Sequence, residues 1–139
     1  MGSRVMQDIV NFYKTFDRYK PFDSDDIANH IQQSYDNKQY KVFKDDEIYG
    51  YANWAFVDKD AEDTFLKTGI IDDWNCGDIM LHVDFIATKN IKGIMSWLKN
   101  NSVKELGTNK QIHWVRLNEK NKIRSIMKQT TKDNWSWAV

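Results

Sequence analysis

The sequence predicts an α+β (mixed α/β) domain: a mainly antiparallel sheet with helices packed against it. Two observations carry that reading. Apolar residues recur at helical spacing in several stretches, and β-branched and aromatic runs of strand length fall between them. The segments also interleave as α, α, β, β, α, β, α, β, α, β, with no repeat, low-complexity tract or linker. At 139 residues a single domain spanning 1–139 with one core is expected. Residues 1–5, ahead of Met6, can be read as an expression scar and carry no argument.

The elements follow in order. Asp8 to Tyr19 places Ile9, Phe12, Tyr13 and Phe16 on one helical stripe, and Pro21 is expected to end it. Ser24 is expected to cap a second helix, with Asp25 and Asp26 in its first turn and Ile27, His30 and Ile31 following. His30 reads as a packed or surface histidine rather than a ligand. Tyr40–Phe43 and Ile48–Val57 read as two strands of a hairpin turning at Asp45-Asp46. Gly50, Ala52 and Ala55 imply close approach of another backbone. Asp58 to Lys67 is a short polar helix or lid stopped by Gly69.

Ile79 to Ala87 is a long apolar run opened by an Asn-Cys-Gly-Asp turn, and reads as the central, buried strand. His82 and Asp84 interrupt it two residues apart, which on a regular strand puts them on one face. An ionised carboxylate there is costly unless paired or functional, so Asp84 is the residue that most needs a partner. Asn90 to Asn100 reads as a helix and Ile112 to Leu117 as a strand. Asn118 to Lys128 reads as a helix capped by Asn118, with a strand at Ile123–Lys128 competing. Trp135 to Val139 reads as a last strand.

Composition narrows the function classes. The 19 aromatics (Trp 6, Tyr 6, Phe 7) and the single proline argue against disorder. No apolar run approaches the roughly 18 residues of a membrane span, and no secretory signal is visible. Cys76 alone can form neither an internal disulfide nor a cysteine-based zinc site, which fits a reducing, cytoplasmic setting. Three scattered histidines supply no metal site, and no nucleic-acid motif appears. Net charge is zero but uneven: residues 1–80 hold 9 Lys/Arg and 16 Asp/Glu, and residues 81–139 hold 11 and 4. The basic second half could receive an anionic ligand or acidic partner, or could simply complement the first.

Two stretches resemble the RTX toxin-activating lysine acyltransferases. Gln39-Tyr40-Lys41-Val42-Phe43 through Tyr51-Ala52-Asn53-Trp54-Ala55 is similar to the family's "QY … Y-x-x-W-A" hairpin. Asp73-Trp74-Asn75-Cys76-Gly77-Asp78 through Asp84-Phe85-Ile86-Ala87 is similar to its "DW-x-x-G-D … h-D-h-I-A-P", with h apolar and Thr88 in place of the proline. The resemblance implies a fold like the GCN5-related N-acetyltransferases (GNAT-like), with a sheet splayed near its centre and the acyl donor in the gap. It also implies an acyl-carrier-protein thioester as donor, a lysine amine as acceptor, dimers among family members, and a catalytic histidine–aspartate pair. The aspartate falls on Asp84. The histidine's "H-R-x-W-P" segment reads Asp17-Arg18-Tyr19-Lys20-Pro21 here, so the histidine is absent from its expected place.

Lysine acylation requires a neutral amine and hence a proton acceptor. Asp84 could take the proton or orient a base, most effectively if burial raises its pKa. Two substitutes for the histidine are open: Asp17, forming a carboxylate pair, or His82 on the strand of Asp84. Donor binding is expected at Ala87, Thr88, Lys89, Lys92, Gly93 and Ile94, where strand passes into helix. That stretch lacks the multiple-glycine loop of coenzyme-A-dependent enzymes. Three functions remain: transfer from an acyl-carrier-protein thioester to an amine, a non-enzymatic binding or assembly role on the same scaffold, and acetyl-coenzyme-A-dependent N-acetylation. An open tunnel ending at Asp84 would count against the second.

Overall fold

The computed structural model describes residues 4–117 and 123–131. Its elements run α1 (Arg4–Tyr13), α2 (Ser24–Asp36), β1 (Tyr40–Lys44), β2 (Ile48–Val57), α3 (Lys59–Thr68), β3 (Ile79–Ala87), α4 (Ile91–Leu106), β4 (Gln111–Leu117) and β5 (Ile123–Thr130). The strands form one open sheet in chain order, β1-β2-β3-β4-β5, antiparallel except where β3 meets β4. This is the α+β class expected, and the arrangement is consistent with a GNAT-like fold.

The two faces of the sheet are covered differently. Ala52, Trp54, Met80 and Ile112 pack under Ile94 and Leu98 of α4. On the other face, α1 and α2 close over Tyr51 and Ile86, while Phe65 of α3 covers Ala55, Val57 and Leu81. The parallel β3–β4 pair is joined by α4, the crossover that parallel neighbours require.

Several boundaries depart from the sequence reading. α1 stops at Tyr13, well before Pro21. Beyond it Thr15 and Phe16 bond three residues back, and the Thr15 hydroxyl donates to Phe12 O, so a run of tight turns replaces helix. Asp23, not Ser24, caps α2: its side chain accepts from Asp25 N at 2.9 Å. α4 continues past Asn100 to Leu106 because Val103 and Leu106 extend its core-facing stripe, and Gly107 at φ 81° ends it. From Ile123 onward the competing strand is correct. Pairing with β4 overrides the helical spacing of Ile123, Ile126 and Met127. Asn118 and the Trp135–Val139 strand lie outside the described residues. Gly50 is approached by side chains, Ile94 Cδ1 and Phe43, rather than by another backbone.

The consequential departure is in β3. Asn53 pairs with Asp84 but Trp54 pairs with His82, so Val83 is an extra residue, a β-bulge. The bulge breaks the two-residue alternation. His82 stays on the α4 face beside Trp54 and within 3.4 Å of Ser102 Oγ, whereas Asp84 turns toward α1 and α2. The expectation that they share a face is therefore corrected. Pairing of β3 with β4 also ends there: Met80↔Ile112, Leu81↔His113 and His82↔Trp114 complete the ladder. Past this point the two strands separate, and the sheet opens.

The Trp74–Gly77 turn anchors the start of β3. Trp74 is buried, Phe56 N donates to Trp74 O, and Cys76 N donates to Phe56 O, each at 2.8 Å. Gly77 lies directly against the β2 end: a Cβ there would fall 2.2 Å from both Val57 C and Asp58 N. Backbone cannot yield as a side-chain tip can. Gly77→Ala should cost about 1–3 kcal/mol, read as a lower urea midpoint at unchanged slope.

Candidate active site

The gap between β3 and β4 leads into an open cavity of about 1250 Å³. Val83, Asp84 and Phe85 line it from β3, Trp114 and Val115 from β4, Met95 and Leu98 from α4, and Phe65 from α3. A further wall is α2 and the turns before it: Arg18, Tyr19, Phe22, Asp26, Ile27 and His30. His30 is brought there because Ile27, Ile31 and Ser34 form the buried stripe of α2, and His30 follows Ile27 by three residues. Gln33 locks the helix in place, donating to Asp72 O at 2.6 Å and accepting from Trp74 N at 3.1 Å.

The partner that Asp84 needed is His30. His30 Nε2 lies 2.7 Å from Asp84 Oδ2. The same oxygen accepts from the Tyr13 hydroxyl at 2.7 Å and from Asn53 Nδ2 at 3.5 Å, and Asn53 Oδ1 accepts the Asp84 backbone N–H at 2.8 Å. His30 Nδ1 has no hydrogen-bond partner among the described residues. The His30 side chain is 38% exposed and that of Asp84 8%, so the imidazole is the accessible member of the pair.

Burial works to raise the Asp84 pKa, but the His30 charge and the bonds from His30 and Tyr13 outweigh it and hold the carboxyl below its usual 3.8. Of the two roles the sequence left open for Asp84, this fits an anion that orients and charges its partner. The Asp84 charge raises His30 above 6.5 against the opposing effect of burial. Burial and the Asp84 charge hold the Tyr13 phenol well above 10, so it remains a donor. His82 has no counter-ion among the described residues, and burial pushes it down to about 4, so it is neutral near pH 7.

The other sequence candidates fall elsewhere. Asp17 is on an exposed turn, bonded to Lys20 at 2.9 Å with its side chain 96% exposed, and does not reach Asp84. The imidazole that meets Asp84 stands 13 positions further along the chain than Asp17. His82 lines the same cavity but on the α4 side of the sheet. None of Ala87, Thr88, Lys89, Lys92, Gly93 and Ile94 lines the cavity. Ile94 is fully buried in the core, Lys89 is paired with Asp45, and Gly93 packs against the Asn90 side chain. Sequence reasoning missed His30, Tyr13 and Asn53 as members of the site. The available signal was His30 beside the buried stripe of α2, with a buried carboxylate elsewhere in the chain in want of a cation.

A histidine fixed by a carboxylate through one ring nitrogen, with the other nitrogen uncommitted and a mostly apolar cavity beside it, can accept a proton from a nucleophile and return it to a leaving group. A model of the RTX toxin acyltransferase family matches residues 2–130 of this chain. No curated protein matches it.

The titrations have definite signs. The folded His30 pKa lies above its unfolded value near 6.5, so its pairing stabilises fully below that pH and the contribution is lost as pH climbs through the folded value. The folded Asp84 pKa lies below 3.8, so its contribution is present above 3.8 and lost as pH falls through the folded value. Asp84→Asn should therefore destabilise more at about pH 5.5 than at about pH 8. In an NMR titration it should also bring the His30 midpoint down from above 6.5. The His82 midpoint should stay at about 4.

Proposed function

The chain belongs to the RTX toxin acyltransferase family, and on that premise we propose that it carries an acyl group from an acyl-carrier-protein thioester to a lysine or other amine, with His30 as the base. The observation that supports this most is the His30–Asp84 pair on the wall of an open cavity at the sheet gap. Asp84 holds the imidazole by Nε2, which leaves Nδ1 as the basic nitrogen. The acceptor arrives largely as an ammonium ion and gives its proton to His30. The neutral nitrogen attacks the thioester carbonyl, the C–N bond forms and the C–S bond breaks; the thiolate leaves with the proton His30 has taken, and the freed imidazole accepts the second proton of the attacking nitrogen and passes it to solvent.

The cavity wall fits the donor half of this reading. Phe22, Ile27, Phe65, Ile70, Met95 and Leu98 offer an apolar surface for an acyl chain. Its volume of about 1250 Å³ exceeds the roughly 300–1,000 Å³ of ordinary small-ligand pockets. Phe22, Ile70 and Phe85 line the cavity yet stay exposed, as residues at an entrance do. Arg18 on the same wall adds a positive charge suited to an acidic carrier or its phosphate-bearing arm. The open cavity reaching Asp84 supports this reading over a non-enzymatic scaffold, against which an open tunnel to Asp84 counts.

Incubation with acyl-carrier-protein thioesters and lysine-bearing peptides, read by mass spectrometry, should show amide formation. His30→Ala and Asp84→Ala should each lower the rate by roughly 100-fold or more, while Asp17→Ala should leave it unchanged. Turnover retained in both of the first two variants would remove the pair from the reaction.

A further inference from the structure

Tyr13 sits at the C-terminal end of α1, fully buried, with its ring edge against Tyr19 at 4.9 Å and tilted on Tyr51 at 5.4 Å. A phenylalanine would fill that volume equally well. The hydroxyl is what needs explaining, because an interior phenol must find a partner and this one finds Asp84 Oδ2, 2.7 Å away. His30 holds the same oxygen at the same 2.7 Å. Asn53, by contrast, makes its short bond to the Asp84 backbone and reaches Oδ2 only at 3.5 Å. Two donors from two helices thus meet on one carboxylate oxygen, and only one of them is the base of the reaction proposed above.

We propose that Tyr13 is a positioning residue for the His30–Asp84 pair, its hydroxyl fixing the carboxylate in the orientation that meets the imidazole and drawing off part of the charge that His30 feels. The inference rests on that pair being the working one. Its consequence is a base tuned from behind. A hydrogen bond to an ionised acceptor is about twice as strong as a neutral one, so the charge left on Oδ2 for His30 depends on how firmly Tyr13 donates. The charged or titratable groups around the pair are Tyr13 from α1, Arg18 and Tyr19 from the turns, Asp26 from α2, Tyr51 from β2, and Asp84 itself from β3, and Tyr19 also hydrogen-bonds Asp84. Arg18 and Asp26 are surface charges unaffected by a change at Tyr13.

The test compares the full chain with Tyr13→Phe and with an ortho-fluorinated tyrosine at position 13, whose hydroxyl is a stronger donor in the same ring. The His30 midpoint is read by NMR, and the acidic limb of the kcat/KM profile is read beside it. Tyr13→Phe should raise the His30 midpoint by roughly 0.5–1 pH unit and carry the acidic limb with it. The fluorinated residue should move both the other way. A purely structural tyrosine would lower the unfolding temperature and leave both unmoved, and that result, or shifts of the same sign in both variants, would overturn the proposal. Should Tyr13→Phe fail to fold, the fluorinated protein decides alone. Because the NMR midpoint needs no turnover, absence of acyl transfer in the unmodified chain would count against the proposed reaction, while the titration would still decide the role of Tyr13.

Discussion

One extra residue in the central strand governs the layout of this molecule. With Val83 inserted opposite Asn53, β3 changes the face of every later side chain by one step, and its ladder with β4 stops at His82↔Trp114. The same local event therefore does two things. It swings Asp84 off the α4 side and toward α2, and it ends the pairing whose absence opens the cavity. A regular strand would place Asp84 on the side of His82 and Ser102, away from His30, and could continue its pairing with β4. Asn53 secures the bulge by accepting the Asp84 backbone N–H, so the strand that frames the site also fixes its geometry.

The electrostatics follow from where that bulge leaves the carboxylate. A buried anion is tolerated when an opposite charge and donors replace lost water, and Asp84 has both in His30 and Tyr13. A second carboxylate–histidine pair makes the contrast clear. Glu62 of α3 and His113 of β4 are bonded to each other, with side chains 0% and 5% exposed, and neither lines the cavity. That pair ties a helix to the sheet where no substrate can reach. The His30 side chain, at 38% exposed, is reachable. A carboxylate and an imidazole thus meet out of reach of solvent in one place and within its reach in the other.

The family likeness and the local chemistry converge on Asp84 from different directions. The motif ending in Asp84-Phe85-Ile86-Ala87 marks the carboxylate, and the Asp73–Asp78 turn that precedes it is explained by packing. Trp74 is buried, and Gly77 lies on the β2 backbone where no Cβ fits. The Gln39-Tyr40 motif is likewise structural, since the Gln39 amide donates to Trp54 O at 2.9 Å and Trp74 O at 3.2 Å and joins the two motifs to each other. The imidazole that meets Asp84 in this chain comes from His30 of α2 rather than from the segment around Asp17.

The sequence alone determined the features that depend on near neighbours. β2 and β3 begin and end where their apolar runs do, α3 stops at Gly69 in its left-handed conformation, and Asp84 was legible as a charge that needed a partner. It could not name the partner, because His30 lies 54 residues away and its place beside the apolar stripe of α2 marks packing as readily as a role. It placed His82 and Asp84 on one face, because alternation is a rule of regular strands and a bulge is fixed by the register of the neighbouring strand. Only the tertiary structure decided those points. Pairing across β2 sets the bulge, the bulge aims Asp84, and the packing of α2 on the sheet delivers the histidine that meets it.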